Sequence, residues 1–255
     1  MIWNLEYKES QSNIEVEGYS ILAVECRAFM ANQVSTKLIE SDSAEQLRTH
    51  LTELEATGFD SSGLLTQMTE AAWQVKDWEV GEAIATTILE DEHGAMFPWE
   101  TGWDKRNTKA SLPGADIVGF QNKSEPRFIF GQVKSSSESR VPPQVINSSN
   151  DCLSCQMCRL AHVSTERIQL IQWLLLRVKG TSWESAFNEA LERYTKDNFL
   201  LIGMLISGGR DAKPRDLTSI CADIQCEERI GEISLLGYYL PFRKDSWASL
   251  VHVGG

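Results

Sequence analysis

Apolar residues along this chain fall into short runs whose spacing changes from segment to segment. Residues 12–30, "SNIEVEGYSILAVECRAFM", contain strand-like alternation. Residues 43–58, "SAEQLRTHLTELEATG", start at a Ser cap, end at a Gly and predict a helix. The stretch from Thr69 to Gly94, "TEAAWQVKDWEVGEAIATTILEDEHG", predicts a second helix closed by its glycine. "AMFPW" then gives a short strand, and two more strands follow at 114–120 and 127–134, separated by the polar turn "QNKSEP". An amphipathic helix is expected over 152–179, interrupted near His162–Thr165, and another over "SWESAFNEALERYTK". "NFLLIGMLIS" and "RIGEISLLGYYLPF" supply two last strands. The order helix, three strands, two helices, two strands predicts an α/β fold in which a mixed central β-sheet is flanked by helices. Residues 1–67 form an N-terminal α+β extension, expected to act as an interaction layer, and residues 68–255 form the main domain.

Composition narrows the setting. The longest apolar run, "FLLIGMLIS", has nine residues, half of the roughly 18 that a membrane span needs, so no membrane partner is expected. The start, "MIWNLEYKES", lacks the basic and apolar regions of a secretion signal. The six cysteines are expected to be reduced thiols or ligands rather than disulfides, and a cytoplasmic location follows as the expectation. Net charge is −12, which alone argues against a nucleic-acid partner. Its distribution changes that picture. Residues 1–100 carry 19 acids and 5 bases, residues 101–180 carry 6 acids and 11 bases, and residues 181–255 carry 11 acids and 8 bases. The middle segment is the only basic one, and a polyanion would dock there.

That segment also holds the residues that carry chemistry. Asp116 interrupts the apolar strand "GADIVGF", and Gln132 and Lys134 flank Val133 in "FIFGQVKSS". On the preceding helix, Val75, Trp78, Ala85 and Leu89 share a face, and Glu82 falls within it. Buried carboxylates and a buried ammonium group need partners. One resolution is a divalent cation: Mg²⁺ prefers hard oxygen ligands, which Glu82, Asp116 and the Gln132 side-chain carbonyl provide. The two-residue strand period puts Gln132 and Lys134 on one face, where Lys134 would stabilise charge developing on a phosphate. The plainer resolution is an Asp116–Lys134 ion pair across a hairpin, with Gln132 hydrogen-bonded to backbone.

These residues resemble the PD-(D/E)xK, or restriction-endonuclease-like, nucleases, over roughly residues 70–210. In that family an Asp on one strand and an (E/Q)xK on the next share a hairpin, often with a helical Glu upstream. The QxK spelling resembles the Mrr-like and defence-associated branches. The resemblance implies a restriction-endonuclease-like core, an Mg²⁺- or Mn²⁺-dependent endonuclease acting on DNA, metal ligands Glu82, Asp116 and Gln132, and Lys134 as catalytic lysine. Gln in place of the usual acid removes one charge from the metal site. Small acidic members resemble nuclease subunits of bacterial anti-phage systems of the Hachiman or Lamassu type, which implies a helicase or SMC-like ATPase as protein partner.

Other features are less specific. Lys105, Arg106 and Lys109, beside Trp103, form a basic connection that would track a nucleic-acid backbone or lie solvated. Ser135 and Ser136 would contact phosphate or cap the strand end. Cys152, Cys155 and Cys158 with His162 have spacing that suits zinc or an iron–sulfur cluster, set against ordinary helix packing. "SGGRDAKPRD", 207–216, would cradle a phosphate or form a solvated turn. No P-loop, GxSxG or dinucleotide fingerprint occurs. A non-catalytic assembly subunit that uses the same fold to bind a protein partner is the alternative to a nuclease.

Overall fold

The computed structural model describes residues 2–38, 49–58, 60, 63, 77–98, 114–224 and 231–251. Seven strands form one mixed sheet: β1 (Asn4–Gln11), β2 (Ile14–Ser20), β3 (Ala95–Met96), β4 (Ile117–Gln121), β5 (Arg127–Ser136), β6 (Leu200–Gly208) and β7 (Glu232–Leu240). Their spatial order is β1-β2-β7-β6-β5-β4-β3. β3, β4 and β5 pair antiparallel, β5, β6, β7 and β2 run parallel, and β1 closes the far edge antiparallel to β2. The expected α/β architecture, a mixed sheet flanked by helices, is present.

Helices cover both faces because the central strands are apolar on both sides. Every residue of β6 is buried, as parallel strands between two helical layers require. One layer contains α1 (Ala23–Phe29), a π-helical turn (Met30–Val34), α2 (Ser35–Leu38) and α3 (Asp77–His93). They pack with Ile117, Ile129 and Val133 in one core. The other contains α4 (Gln144–Asn147), α5 (Leu153–His162), α6 (Ser164–Val178), α7 (Glu184–Tyr194) and α8 (Arg215–Ile224), which pack on Val118, Phe120, Phe128 and Phe130. A short α9 (Trp247–Leu250) returns to the first layer, where Trp247 is fully buried. α3 ends where Gly94 takes a φ of +63°, and the expected interruption near His162 falls at Val163, between α5 and α6.

Three elements differ from the sequence expectation. The strand-like alternation of 12–30 ends at Ser20, and Ala23–Leu38 is helical. Cys26, Phe29, Met30 and Val34 are buried while Leu22 and Val24 are exposed, so a helical period lies inside the apolar run. β1 is exposed along nearly its whole length and has no apolar alternation to reveal it. In α8, Leu217, Ile220, Cys221 and Ile224 form the buried stripe behind the polar turn. The boundary expected after residue 67 lies outside the described residues. The strands of the N-terminal segment continue the main sheet, with Ile14 through Ser20 paired in register with Ile233 through Tyr239.

Two outcomes follow from this packing. A Cβ on Gly131 would sit 2.3 Å from the backbone oxygen of Ile202 on the neighbouring strand. Gly131→Ala should therefore lower unfolding stability by about 1–3 kcal/mol in urea titrations, because β6 has no slack to give. His93 Nε2 lies 2.7 Å from the Tyr238 hydroxyl, and burial holds its imidazole below the usual pKa, against a smaller upward pull from Glu17. The unfolded chain takes up that proton below about pH 6.5, so stability should fall as the pH drops through that value. His93→Gln should remove this part of the acid sensitivity, read as the change in urea midpoint between pH 7.5 and 5.5.

Candidate active site at the mouth of the β4–β5 hairpin

The hairpin is regular from Gln121↔Arg127 to Ile117↔Gly131 and then opens. Gly114, at φ +77°, turns the incoming chain, a conformation that suits glycine. The Asp116 N–H donates to the Gly131 carbonyl at 3.0 Å, one residue out of register with the ladder. The Val133 N–H then donates to Asp116 Oδ2 at 2.9 Å, so a side chain takes the place of a strand carbonyl. On the opposite strand, Gln132 Nε2 donates to the Gly114 carbonyl. Two side chains thus satisfy the backbone groups that the parting strands expose.

Asp116 lies in the bend just before β4, with its carboxylate turned to the Val133 N–H, while strand alternation puts Gln132 and Lys134 on the face of Phe128 and Phe130. Asp116 and Gln132 thus meet at the hairpin mouth, and Lys134 follows Gln132 by two residues along β5. Gln132 is 1 % exposed, and among the described residues its Oε1 accepts no hydrogen bond. Lys134 stands nearer the rim, with 17 % of its side chain exposed and Nζ 3.3 Å from Asp151 Oδ2. Asp151 also accepts a hydrogen bond from Gln156 Nε2. Sequence reasoning missed Asp151. Its signal was an acid directly before Cys152, the cap of α5.

Glu82 comes from the other layer. α3 packs on the opposite face of the sheet, through Val80, Ile84 and Ile88. Glu82 is half-buried on the flank of that stripe and not in its middle, because Trp78, one turn earlier, is 40 % exposed. Val75 lies outside the described residues. The helix approaches β5 closely at Gly81, where a Cβ would be 2.1 Å from Ser135 Oγ. That contact brings the turn carrying Glu82 to the same end of β5 as Lys134, from the other side of the sheet. The Ser135 hydroxyl faces α3 and Gly81, on the other side of the sheet from Lys134. Ser136 does cap, accepting the Glu138 N–H at 3.1 Å.

Cys152, Cys155, Cys158 and His162 lie on or beside α5, and among the described residues no group of three or more His, Cys, Asp or Glu side chains is placed to hold a metal ion. Cys152 Sγ instead accepts the Cys155 N–H at 3.3 Å as the helix cap. Burial raises the Cys152 thiol pKa, but hydrogen bonds from Cys155 outweigh this and bring it below the usual value. Cys158 Sγ donates to the Asp223 carbonyl at 3.2 Å, and His162 is exposed. Lys105, Arg106 and Lys109 lie outside the described residues.

No protein-family model matches the chain, and no curated protein does either.

The geometry separates fold from charge at Asp116. Asp116→Leu should cost about 1–3 kcal/mol by leaving the buried Val133 N–H unpaired. Asp116→Asn keeps an acceptor oxygen there and should unfold close to wild type, by urea denaturation of both variants.

Proposed function

We propose that the chain is a metal-dependent nuclease of the PD-(D/E)xK type, in its QxK form, that hydrolyses phosphodiester bonds in DNA. What supports this reading is the hairpin mouth, where Asp116 and Gln132 meet and Lys134 follows two residues along β5, within a basic stretch of an otherwise acidic chain. Helix α3, the antiparallel hairpin, the crossover helices and the parallel β6 stand in the order this reading requires. The donors fit a hard cation such as Mg²⁺ or Mn²⁺. Asp116 has one oxygen fixed on Val133, Gln132 has its nitrogen fixed on Gly114 so that its oxygen faces away, and Glu82 would reach in from the α3 layer. The bound cation would polarise the scissile phosphate and lower the pKa of the attacking water.

The residues of the chain carry the remaining steps. Lys134, held at the rim by an exposed Asp151, would exchange that weak partner for a phosphate oxygen and stabilise the charge that develops there. Gln132 and Asp116, locked to backbone, keep their oxygens positioned without rearrangement. We further propose that the chain works as the nuclease subunit of an anti-phage complex, with an ATPase or helicase partner that loads or restrains it. The strongly acidic N-terminal third suits contact with a protein more than with DNA.

A second reading rests on the same hydrogen bonds. Asp116 and Gln132 both contact backbone, so they also suit a non-catalytic subunit that keeps the fold for assembly. Cleavage separates the two. Supercoiled plasmid and linear single- and double-stranded DNA should be cut with Mg²⁺ or Mn²⁺, with the chain alone or with its partner. Lys134→Ala and Asp116→Asn, both folded, should each lose about 10²-fold or more in rate. Absence of cutting in every condition would leave the assembly reading.

A further inference from the structure

The loops that leave the carboxyl ends of β5, β6 and β7 meet around an open basin of about 630 Å³. Such crevices, beyond the carboxyl ends of parallel strands, are where α/β sheets place ligands. Each of the three loops contributes one arginine to its lining: Arg140, Arg210 and Arg243. The loops are bound together. Arg210 Nη1 donates to the Glu138 and Arg140 carbonyls at 2.9 and 2.7 Å, and Nη2 to Asp216 Oδ2 at 2.5 Å. The Lys244 N–H donates to Ser137 Oγ at 2.6 Å, and the Arg243 stem covers Gly209, whose added Cβ would lie 2.7 Å from Arg243 Cγ.

The floor under the basin is fixed by burial. Asp216 is fully buried, and Tyr239 also donates to its Oδ2, at 2.9 Å. Arg210 is therefore a structural guanidinium whose charge is matched from below. The rim is different. Among the described residues Arg140 has no ion pair, and Arg243 has only Asp245, with Nε and Oδ2 3.6 Å apart and both side chains more than half exposed. Such a pair contributes little in water. Glu138, the acid in the lining, already accepts the Gln144 N–H at 2.7 Å. Two guanidinium groups without strong partners thus stand over a rigid basin, and planar forks of this kind match phosphate oxygens.

We propose that this basin binds a phosphodiester of the DNA strand whose scissile phosphate lies at Lys134. The inference rests on the nuclease reading for its choice of polyanion. Lys134 and Ser137 belong to one extended stretch of chain, so their backbones are at most about 10 Å apart. About three nucleotides, at 3.4 Å each along the strand axis, cover that span. The basin would fix the strand's direction across the hairpin mouth and carry no sequence information.

The test is fluorescence anisotropy of a labelled twelve-nucleotide single strand in EDTA, across a salt series, with inorganic phosphate as competitor. The Arg140→Ala/Arg243→Ala double variant changes exposed residues only and should keep the wild-type fold. It should bind at least 10-fold more weakly, with a salt slope shallower by roughly one to two, and Lys179→Ala, an exposed change just after α6, should bind like wild type. Equal affinity and slope for the double variant and wild type would overturn the proposal. So would phosphate binding at the basin without oligonucleotide binding, which would make it a small-anion site. Loss of oligonucleotide binding in the double variant, beside a wild type that never cuts with Mg²⁺ or Mn²⁺, would uphold the basin while removing the nuclease reading. Cutting that the double variant retains with unchanged oligonucleotide binding would do the reverse.

Discussion

The hydrogen bond from the Val133 N–H to the Asp116 carboxylate is the constraint on which the hairpin mouth depends. β5 lies between two helical layers and two neighbouring strands, so any backbone group it leaves unpaired has no water to turn to. β4 must part from β5 to make room at the mouth, and parting orphans a donor on one strand and an acceptor on the other. Asp116 takes the donor, and Gln132 supplies the donor that the Gly114 carbonyl lacks. Satisfying the backbone and positioning oxygens at an opening are therefore one arrangement. This is why two polar side chains tolerate a strand environment that otherwise admits Val118, Phe120, Phe128 and Phe130.

β5 is also where the sheet changes character, pairing antiparallel with β4 and parallel with β6. The antiparallel side opens the hairpin mouth. The parallel side aligns the carboxyl ends of β5, β6 and β7, so that the loops beyond them converge. Lys134 faces the first feature and Ser137 begins the second, three residues along the same chain. Rigidity at this end comes from close backbone approaches. Gly81 lets α3 lie against Ser135, and Gly208 lets β6 pass Phe242, whose carbonyl oxygen would be 2.4 Å from an added Cβ.

Much of this was legible in the amino-acid pattern, for identifiable reasons. The buried strands β5, β6 and β7 are apolar runs bounded by turn residues, and α3 ends on a glycine, so local chemistry announced them. Asp116, Gln132 and Lys134 stood out because polar residues in such runs are costly. Glu82 was harder to place. Helical spacing grouped it with Trp78, Ala85 and Leu89; Ala85 and Leu89 are indeed buried, but only packing shows that the stripe continues through Val80, Ile84 and Ile88 while Trp78 is exposed. β1 was hidden because an exposed edge strand needs no apolar alternation, its stability coming from the ladder to β2. Asp151 and Asp216 act through contacts 17 and 23 residues away in sequence, to Lys134 and Tyr239, which no local pattern encodes.

The acidity of the chain is compatible with a polyanion at β5 because the sheet order keeps the charges apart. The acidic β1–β2 hairpin carries Glu6, Glu9, Glu15 and Glu17, with Lys8 offsetting part of that charge through a 2.7 Å contact to Glu17. It forms one edge of the sheet, and β7 and β6 stand between it and β5. Three strand spacings amount to about 14 Å, whereas exposed charges are screened over about 8 Å at physiological ionic strength. Repulsion from that acidic edge is therefore weak at the β4–β5 mouth, whereas Lys134, Arg140 and Arg243 stand at or beyond the carboxyl ends of β5 and β7. Net charge describes the whole molecule. The field that a polyanion would meet beyond β5 depends most on the charges at that end of the sheet, and the acidic β1–β2 edge lies apart from them.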